Sequence, residues 1–289
     1  MLIFEIMQLR ELYNKGKNLL EQAMVPEPAI EASSLLANAA GLDKITIYSS
    51  PEMKIDENSV LKFNEFITRR INGEPNSYIT GNKEFYSKNF IVNHDVLIPR
   101  PETELIVEEA LKIIPDNVEY IVADTCTGSG CIGITIKSIK ENIKLISADI
   151  AFPATLVGSK NSKINLADFG SLFVNTSFFE CIKDRSVDMV VCNPPYIANG
   201  DYNNLQEEVR NHEPKQALVS GEDGLAHIKE IVYGSKMKLK NGGWLIIEIG
   251  KGQGRQTVEF FKRCGFGQID VVLDVNKIER VIKGQWKES

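Results

Sequence analysis

YIVADTCTGSGCIGITIKSIK, residues 120–140, is the stretch that decides the fold. It opens on Tyr120–Ala123, a short apolar run of the kind that forms a strand buried on both faces. It closes on Ile132–Lys140, which reads as a helix. Between them lies Asp124-Thr-Cys-Thr-Gly-Ser-Gly130, where Gly128 and Gly130 permit a tight turn and close backbone approach to a ligand. Strand, glycine turn, helix is the opening of an α/β sheet, and the helix N-terminus offers free N–H groups to an anion.

Outward from that turn the alternation continues. Leu145–Ala148, Met189–Cys192 and Trp244–Ile249 read as further buried strands, and Leu225–Leu239 and Gln253–Cys264 as helices. This pattern predicts a doubly wound, mostly parallel sheet. Ile269–Leu273 and Glu279–Lys283 have no helix between them and are expected as an antiparallel pair at the sheet edge. Ligands of such sheets bind beyond the carboxyl ends of the strands. Asp149, which ends the second strand, is placed to accept hydrogen bonds from ribose hydroxyls. Gly128-Ser-Gly130-Cys-Ile-Gly133 also fits G-x-G-x-x-G, so spacing alone leaves a nicotinamide dehydrogenase open. A phosphate-binding Walker loop is excluded, because no Gly-Lys-Ser/Thr follows.

Before the sheet the texture is different. Leu9, Leu12, Leu19 and Leu20 have near-helical spacing, and Pro28 can open a second helix with Ala32, Leu35, Leu36 and Ala39 on one face. A third helix is predicted over Asp56 to Ile71, stopped by Gly73 and Pro75. Residues 1–75 thus read as a small helical bundle. Strand formers between Tyr78 and Ile98, with turn residues at 87–89 and 93–94, predict a β-hairpin linker over 76–98. Residues 99–289 then form the sheet domain.

Asn193-Pro194-Pro195-Tyr196 follows the strand Asp188–Cys192. Two prolines fix the chain and remove two N–H donors. What remains is a rigid rim of acceptors, the Asn193 side-chain oxygen and the Pro194 carbonyl, with the flat face of Tyr196 beside it. Such a rim suits a planar NH2 group. The lone pair of an amide or aromatic amine is delocalised, so its nitrogen is a poor nucleophile. Fixed acceptors on both N–H groups stabilise the positive charge that develops on attack, and orientation does the rest.

Composition narrows the classes. The chain has 289 residues, a net charge of −6, a pI near 5.3 and 43% hydrophobic residues, which fits a globular protein and not a disordered one. No apolar run approaches the roughly 20 residues that cross a bilayer. Ile3 to Met7, interrupted by Glu5, is too short for a signal-peptide core. A cytoplasmic protein without membrane partner is expected. The five cysteines include no close CxxC pair, and His94, His212 and His227 are scattered, so neither a disulfide framework nor a metal site is predicted. Mild acidity and the absence of a basic run argue against direct nucleic-acid binding. No feature specifies an oligomeric state.

With both motifs in view, the chain resembles class I S-adenosylmethionine-dependent methyltransferases, and among them the release-factor glutamine methyltransferases. The resemblance extends through Arg69-Arg70-Ile-Asn-Gly-Glu-Pro75, Tyr78-Ile-Thr-Gly81, Glu84-Phe85 and Val96-Leu-Ile-Pro-Arg-Pro-Glu-Thr-Glu104. It continues through Thr127–Gly130, Asn193–Tyr196, Glu213-Pro214, Asp223-Gly224 and Glu248-Ile-Gly250. It implies a seven-stranded sheet, a helical domain that docks the substrate, and methyl transfer to the side-chain amide nitrogen of the glutamine in the Gly-Gly-Gln motif of peptide chain release factors. By position it implies that Thr127, Gly128, Ser129 and Gly130 line the methionine part of the cofactor and Asp149 holds the ribose. Phe178 would pack on adenine. Asn193 and the Pro194 carbonyl would grip the glutamine amide beside Pro195 and Tyr196, with Asn193 also bordering the cofactor.

The chain departs from the family in three places. Cys126 stands where the family most often has Gly, and a Cys there resembles the related ribosomal-protein glutamine methyltransferases; Ser177 stands where an Asp is usual. Ala151–Leu172 matches the family poorly. The alternatives are a ribosomal-protein glutamine methyltransferase, favoured by Cys126, and a DNA adenine-N6 methyltransferase, disfavoured by charge and compact length. The dehydrogenase reading does not account for Asn193–Tyr196.

Overall fold

The computed structural model describes residues 7–166 and 171–288. Of Ile3 to Met7 only Met7 is among them, and residues 167–170 of the stretch 151–172 also lie outside. Contacts divide the chain into two compact units: residues up to Asn82 with Gln206–His212, and Lys83–Leu205 with the chain from Glu213 onward.

The first unit is helical: α1 (Leu9–Gln22), α2 (Pro28–Ala40), α3 (Lys44–Ser49), α4 (Glu57–Ile71) and α5 (Asn76–Thr80). Leu9, Leu12 and Leu20 of α1 meet Leu35 and Leu36 of α2 and Phe63, Phe66 and Ile67 of α4 in one apolar core. Asp56 caps α4, its carboxylate accepting from the Ser59 backbone N–H at 3.1 Å and the Ser59 hydroxyl at 2.6 Å. Arg70 is buried, yet its guanidinium donates to Glu31 (3.0 Å), to Glu208 (3.0 Å) and to the Glu74 carbonyl (3.2 Å). A buried cation needs such partners.

The second unit begins at Lys83, within a hairpin of β1 (Asn82–Phe85) and β2 (Lys88–Ile91), and continues through α6 (Glu104–Ile113), β3 (Tyr120–Thr125), α7 (Cys131–Ile139), β4 (Ile143–Asp149), α8 (Phe152–Asn165), β5 (Ser171–Asn175) and β6 (Val187–Cys192). The short α9 (Glu207–His212) groups with the helical unit and carries Glu208 to Arg70. Then come α10 (Ala226–Lys238), β7 (Leu239–Glu248), α11 (Gly254–Arg263), β8 (Phe266–Leu273) and β9 (Glu279–Trp286). Seven strands make one sheet in the order β5-β4-β3-β6-β7-β9-β8. The first five are parallel, and β9 is antiparallel to both β7 and β8.

Residue alternation explains why the central strands carry apolar runs. Val190 and Cys192 of β6 join the core beneath α10 and α11, whereas Met189 and Val191 join the core beneath α6 and α7. Leu245 and Ile247 of β7 face the first core and Ile246 the second. Strand order runs from β3 outward to β5, then returns to β6 on the other side of β3. The reversal opens a crevice at the carboxyl ends of β3 and β6.

Two sequence expectations change. The hairpin is confined to 82–91, not the whole of 76–98: Asn76–Thr80 is a helical turn, and Asn93 makes a local turn with Asp95 in place of ladder pairing. Helix α8 and strand β5 lie where no element was expected. Helix α8 hides polar Thr155, Asn161 and Ser162 while exposing Phe152, Leu156 and Ile164, so it lacks an apolar stripe. No helix among the described residues is long and apolar enough to cross a membrane.

Candidate active site

At the carboxyl ends of the parallel strands a cavity of about 300 Å³ opens. Its walls include Thr127, Gly128 and Ser129 after β3, Asp149, Ile150 and Ala151 after β4, Ser177 and Phe178 after β5, and Asn193 and Pro195 after β6. Residues predicted from widely separated motifs therefore meet around one space. Gly130, Pro194 and Tyr196 are not among its lining residues.

The glycine turn is held from both sides. Thr127 hydroxyl donates to Asp124 Oδ2 at 2.6 Å, and the Gly133 N–H reaches the same oxygen at 3.1 Å. Asp124 is fully buried; burial pushes its carboxyl up to about 7 against the pull of those two bonds. Gly130, at φ +81°, caps α7, and a Cβ there would lie 2.6 Å from Ile134 Cδ1. Gly128, at φ +54°, has open space where its Cβ would be. Cys126 (φ +57°) and Phe178 (φ +30°) hold left-handed backbones without being glycine, a strain that collects at binding sites. Asn161 of α8 donates to the Ser129 carbonyl at 2.9 Å and brackets Ile91, accepting from its N–H at 2.7 Å.

Asp149 Oδ2 accepts from the Gly128 N–H and Oδ1 from the Ala151 N–H, both at 2.9 Å. Burial raises its carboxyl above the usual range, and those two bonds oppose the rise. Phe178 lies against His227 with ring centroids 5.7 Å apart. An acidic acceptor, an aromatic face, apolar Ile150 and Ala154 and an unobstructed glycine backbone form a donor and acceptor set that fits a nucleoside carrying an amino-acid tail.

At the rim, Asn193 Nδ2 donates to Thr103 Oγ1 at 3.1 Å. Thr103 hydroxyl donates to Glu248 Oε2 at 2.6 Å, and Tyr196 hydroxyl donates to Glu248 Oε1 at 3.2 Å. Burial also lifts the Tyr196 phenol well above its ordinary range. Gln253 Nε2 donates to the Tyr196 carbonyl at 2.9 Å, while its Oε1 accepts from the Gly250 N–H at 2.8 Å. Thr103 and Glu248 lie in strings noted in the sequence and Gln253 in a predicted helix, but nothing there assigned them a role. Nor does the sequence show that Gly224, at φ +74°, sits under the rim: a Cβ there would be 2.3 Å from the Tyr196 carbonyl oxygen. Gly224→Ala is therefore expected to lower the thermal midpoint and shift the rim, the left-handed backbone alone costing about 1–2 kcal/mol. An unchanged unfolding midpoint and unchanged activity would contradict this.

Comparison with known proteins agrees with the geometry. Residues 11–81 match the family described as the PrmC N-terminal domain, and residues 103–223 the methyltransferase small domain. The chain is 35% identical over 277 residues to the release factor glutamine methyltransferase of Nitratidesulfovibrio vulgaris, covering 95% of this chain and 94% of that one. It is 34% identical over 281 residues to the enzyme of the same name from Geobacter sulfurreducens, covering 97% and 98%. Among solved structures, a methyltransferase from Pyrococcus furiosus superimposes with a TM-score of 0.52 at 11% identity, covering 71% of this chain and 92% of that one. The hMettl16 catalytic domain superimposes with a TM-score of 0.56 at 14% identity, covering 81% and 84%. These last two likenesses concern the fold.

Proposed function

Because the chain belongs to the release factor glutamine methyltransferase family, we propose that it moves a methyl group from S-adenosylmethionine to the side-chain amide nitrogen of the glutamine in the Gly-Gly-Gln motif of peptide chain release factors. The observation that carries the reading is the convergence of the Asn193 rim with the Gly128–Asp149 cavity. When bound, S-adenosylmethionine supplies an electrophilic methyl group on a positively charged sulfur. Thr127, Gly128, Ser129 and Gly130 hold its methionine part, Asp149 accepts from its ribose, and Phe178 packs on its adenine. Asn193 Oδ1 and the Pro194 carbonyl accept the two N–H groups of the substrate amide and turn its nitrogen toward the cavity. Those acceptors offset the positive charge that grows on nitrogen during attack. Pro195 and Tyr196 hold the rim rigid.

In the same reading, residues 1–75 dock the release factor, 76–98 connect, and 99–289 carry the chemistry in the cytoplasm, with no nucleic acid or membrane as direct partner. Mass spectrometry of release factor after incubation with enzyme and labelled S-adenosylmethionine is expected to find one methyl group on the Gly-Gly-Gln glutamine. An unmodified release factor, or a methyl group on a ribosomal protein instead, overturns the substrate assignment. In hydrogen exchange, bound release factor is expected to protect amides of α1–α5. Absence of protection there overturns the docking role.

A further inference from the structure

The hydrogen bonds behind the rim have a direction. Glu248 and Thr103 are 1% and 2% exposed, so water competes little for their hydrogen bonds, although Thr103 borders the cavity. An ionised carboxylate accepts only, and a threonine hydroxyl carries a single proton. With that proton committed to Glu248 Oε2, Thr103 Oγ1 can only accept from Asn193. The end of a carboxamide that donates is its NH2. The carbonyl oxygen of Asn193 is therefore the end left for another molecule.

We propose that Glu248, acting through Thr103, is a positioning residue that fixes which end of the Asn193 carboxamide meets the substrate, and so selects a substrate that presents an N–H donor. This rests on the glutamine-methylation reading. A protonated Glu248 could itself donate, and Thr103 would be free to turn its proton onto Asn193 Oδ1. The carboxamide would then rotate and set its NH2 against the substrate NH2, leaving donors without acceptors.

Burial pushes Glu248 up to about 7, while Thr103, Tyr196 and Arg280 of β9 pull it down and Glu102 pushes it up. Cys131, at the start of α7, also feels the Glu248 charge. The ordered rim requires ionised Glu248, so activity should climb as pH rises through that value. Stability runs the other way. A carboxyl whose folded pKa lies above its unfolded value binds its proton more tightly when folded. Its ionisation lowers stability progressively as pH rises from the unfolded value to about 7. Removing the charge should therefore preserve or raise the unfolding midpoint at pH 8 while harming catalysis, which a merely structural role would not do.

The test is kcat against pH for the full chain with S-adenosylmethionine and release factor, with cofactor affinity and thermal midpoint measured alongside. Wild type is expected to lose about tenfold in kcat per pH unit below the midpoint. Thr103→Val and Glu248→Gln are expected to lose roughly tenfold to a hundredfold in kcat at pH 8 and to show flat profiles. Cofactor affinity should be unchanged, and Thr103→Ser should restore most of both rate and slope. Wild-type kcat and slope in either Thr103→Val or Glu248→Gln overturns this inference alone, and since the two substitutions are independent, one that fails to fold leaves the other decisive. Wild type that never methylates the glutamine at any pH overturns the functional reading and this inference with it.

Discussion

Asn193→Ala is expected to reduce methyl transfer by roughly a hundredfold to a thousandfold, the range seen when one fixed partner of a developing charge is removed. The side chain lies at the cavity wall, and its only hydrogen bond described within the protein runs from Nδ2 to Thr103. Its oxygen is the acceptor that the substrate amide would lose. Alanine leaves the glycine turn and Asp149 untouched, so cofactor affinity should stay nearly unchanged. Asn193→Asp is a sharper probe. It keeps the shape but replaces a donor with a second acceptor, and the one proton of Thr103 must then serve two carboxylates. A second negative charge near buried Glu248 should also drive one of the two to hold a proton. Single-turnover methylation, with calorimetric titration of the cofactor, checks both variants. Near-normal rates for Asn193→Ala would sink the role given to the rim.

Local periodicity is enough to read the sheet's centre. Tyr120–Ala123 and Met189–Cys192, and Trp244–Ile249 apart from Glu248, are apolar at successive positions because both faces are covered, and the structure finds them as adjoining strands. The Asp149 acceptor and the glycine turn are legible because each occupies a fixed place in a strand–turn–helix order. The count of seven strands comes from family likeness, and β5 has no signal of its own: its five residues are half-buried or exposed. Helix α8 is hard to read because its buried face is polar, with Asn161 satisfied by backbone groups that lie far away in sequence. The same reason hides the Thr103–Glu248 contact. Its partners are 145 residues apart, and although Glu248 sits within an apolar strand, nothing local points from it to Thr103. Polar side chains that act through a single distant partner leave no local trace.

Asp149→Ala is expected to weaken cofactor binding by about tenfold to a hundredfold, since a hydrogen bond to a charged group contributes roughly 1.5–3 kcal/mol and tenfold in affinity corresponds to about 1.4 kcal/mol. Two losses combine. In the proposed reading the ribose hydroxyls would lose their acceptor. The Gly128 and Ala151 N–H groups, each 2.9 Å from an Asp149 oxygen, lose theirs as well. The second loss acts before any ligand arrives, because Gly128 holds a left-handed backbone that this contact helps to fix. The thermal midpoint without cofactor should therefore fall too. A residue that served only the ribose would leave that midpoint unmoved. Asp149→Asn is not a mild control: one of its two ends carries an NH2, which would face a backbone N–H, donor against donor. It should resemble alanine in the midpoint while retaining one acceptor. Calorimetric titration that finds unchanged affinity in Asp149→Ala refutes the ribose role. A lowered affinity with an unmoved midpoint refutes the part assigned to the turn.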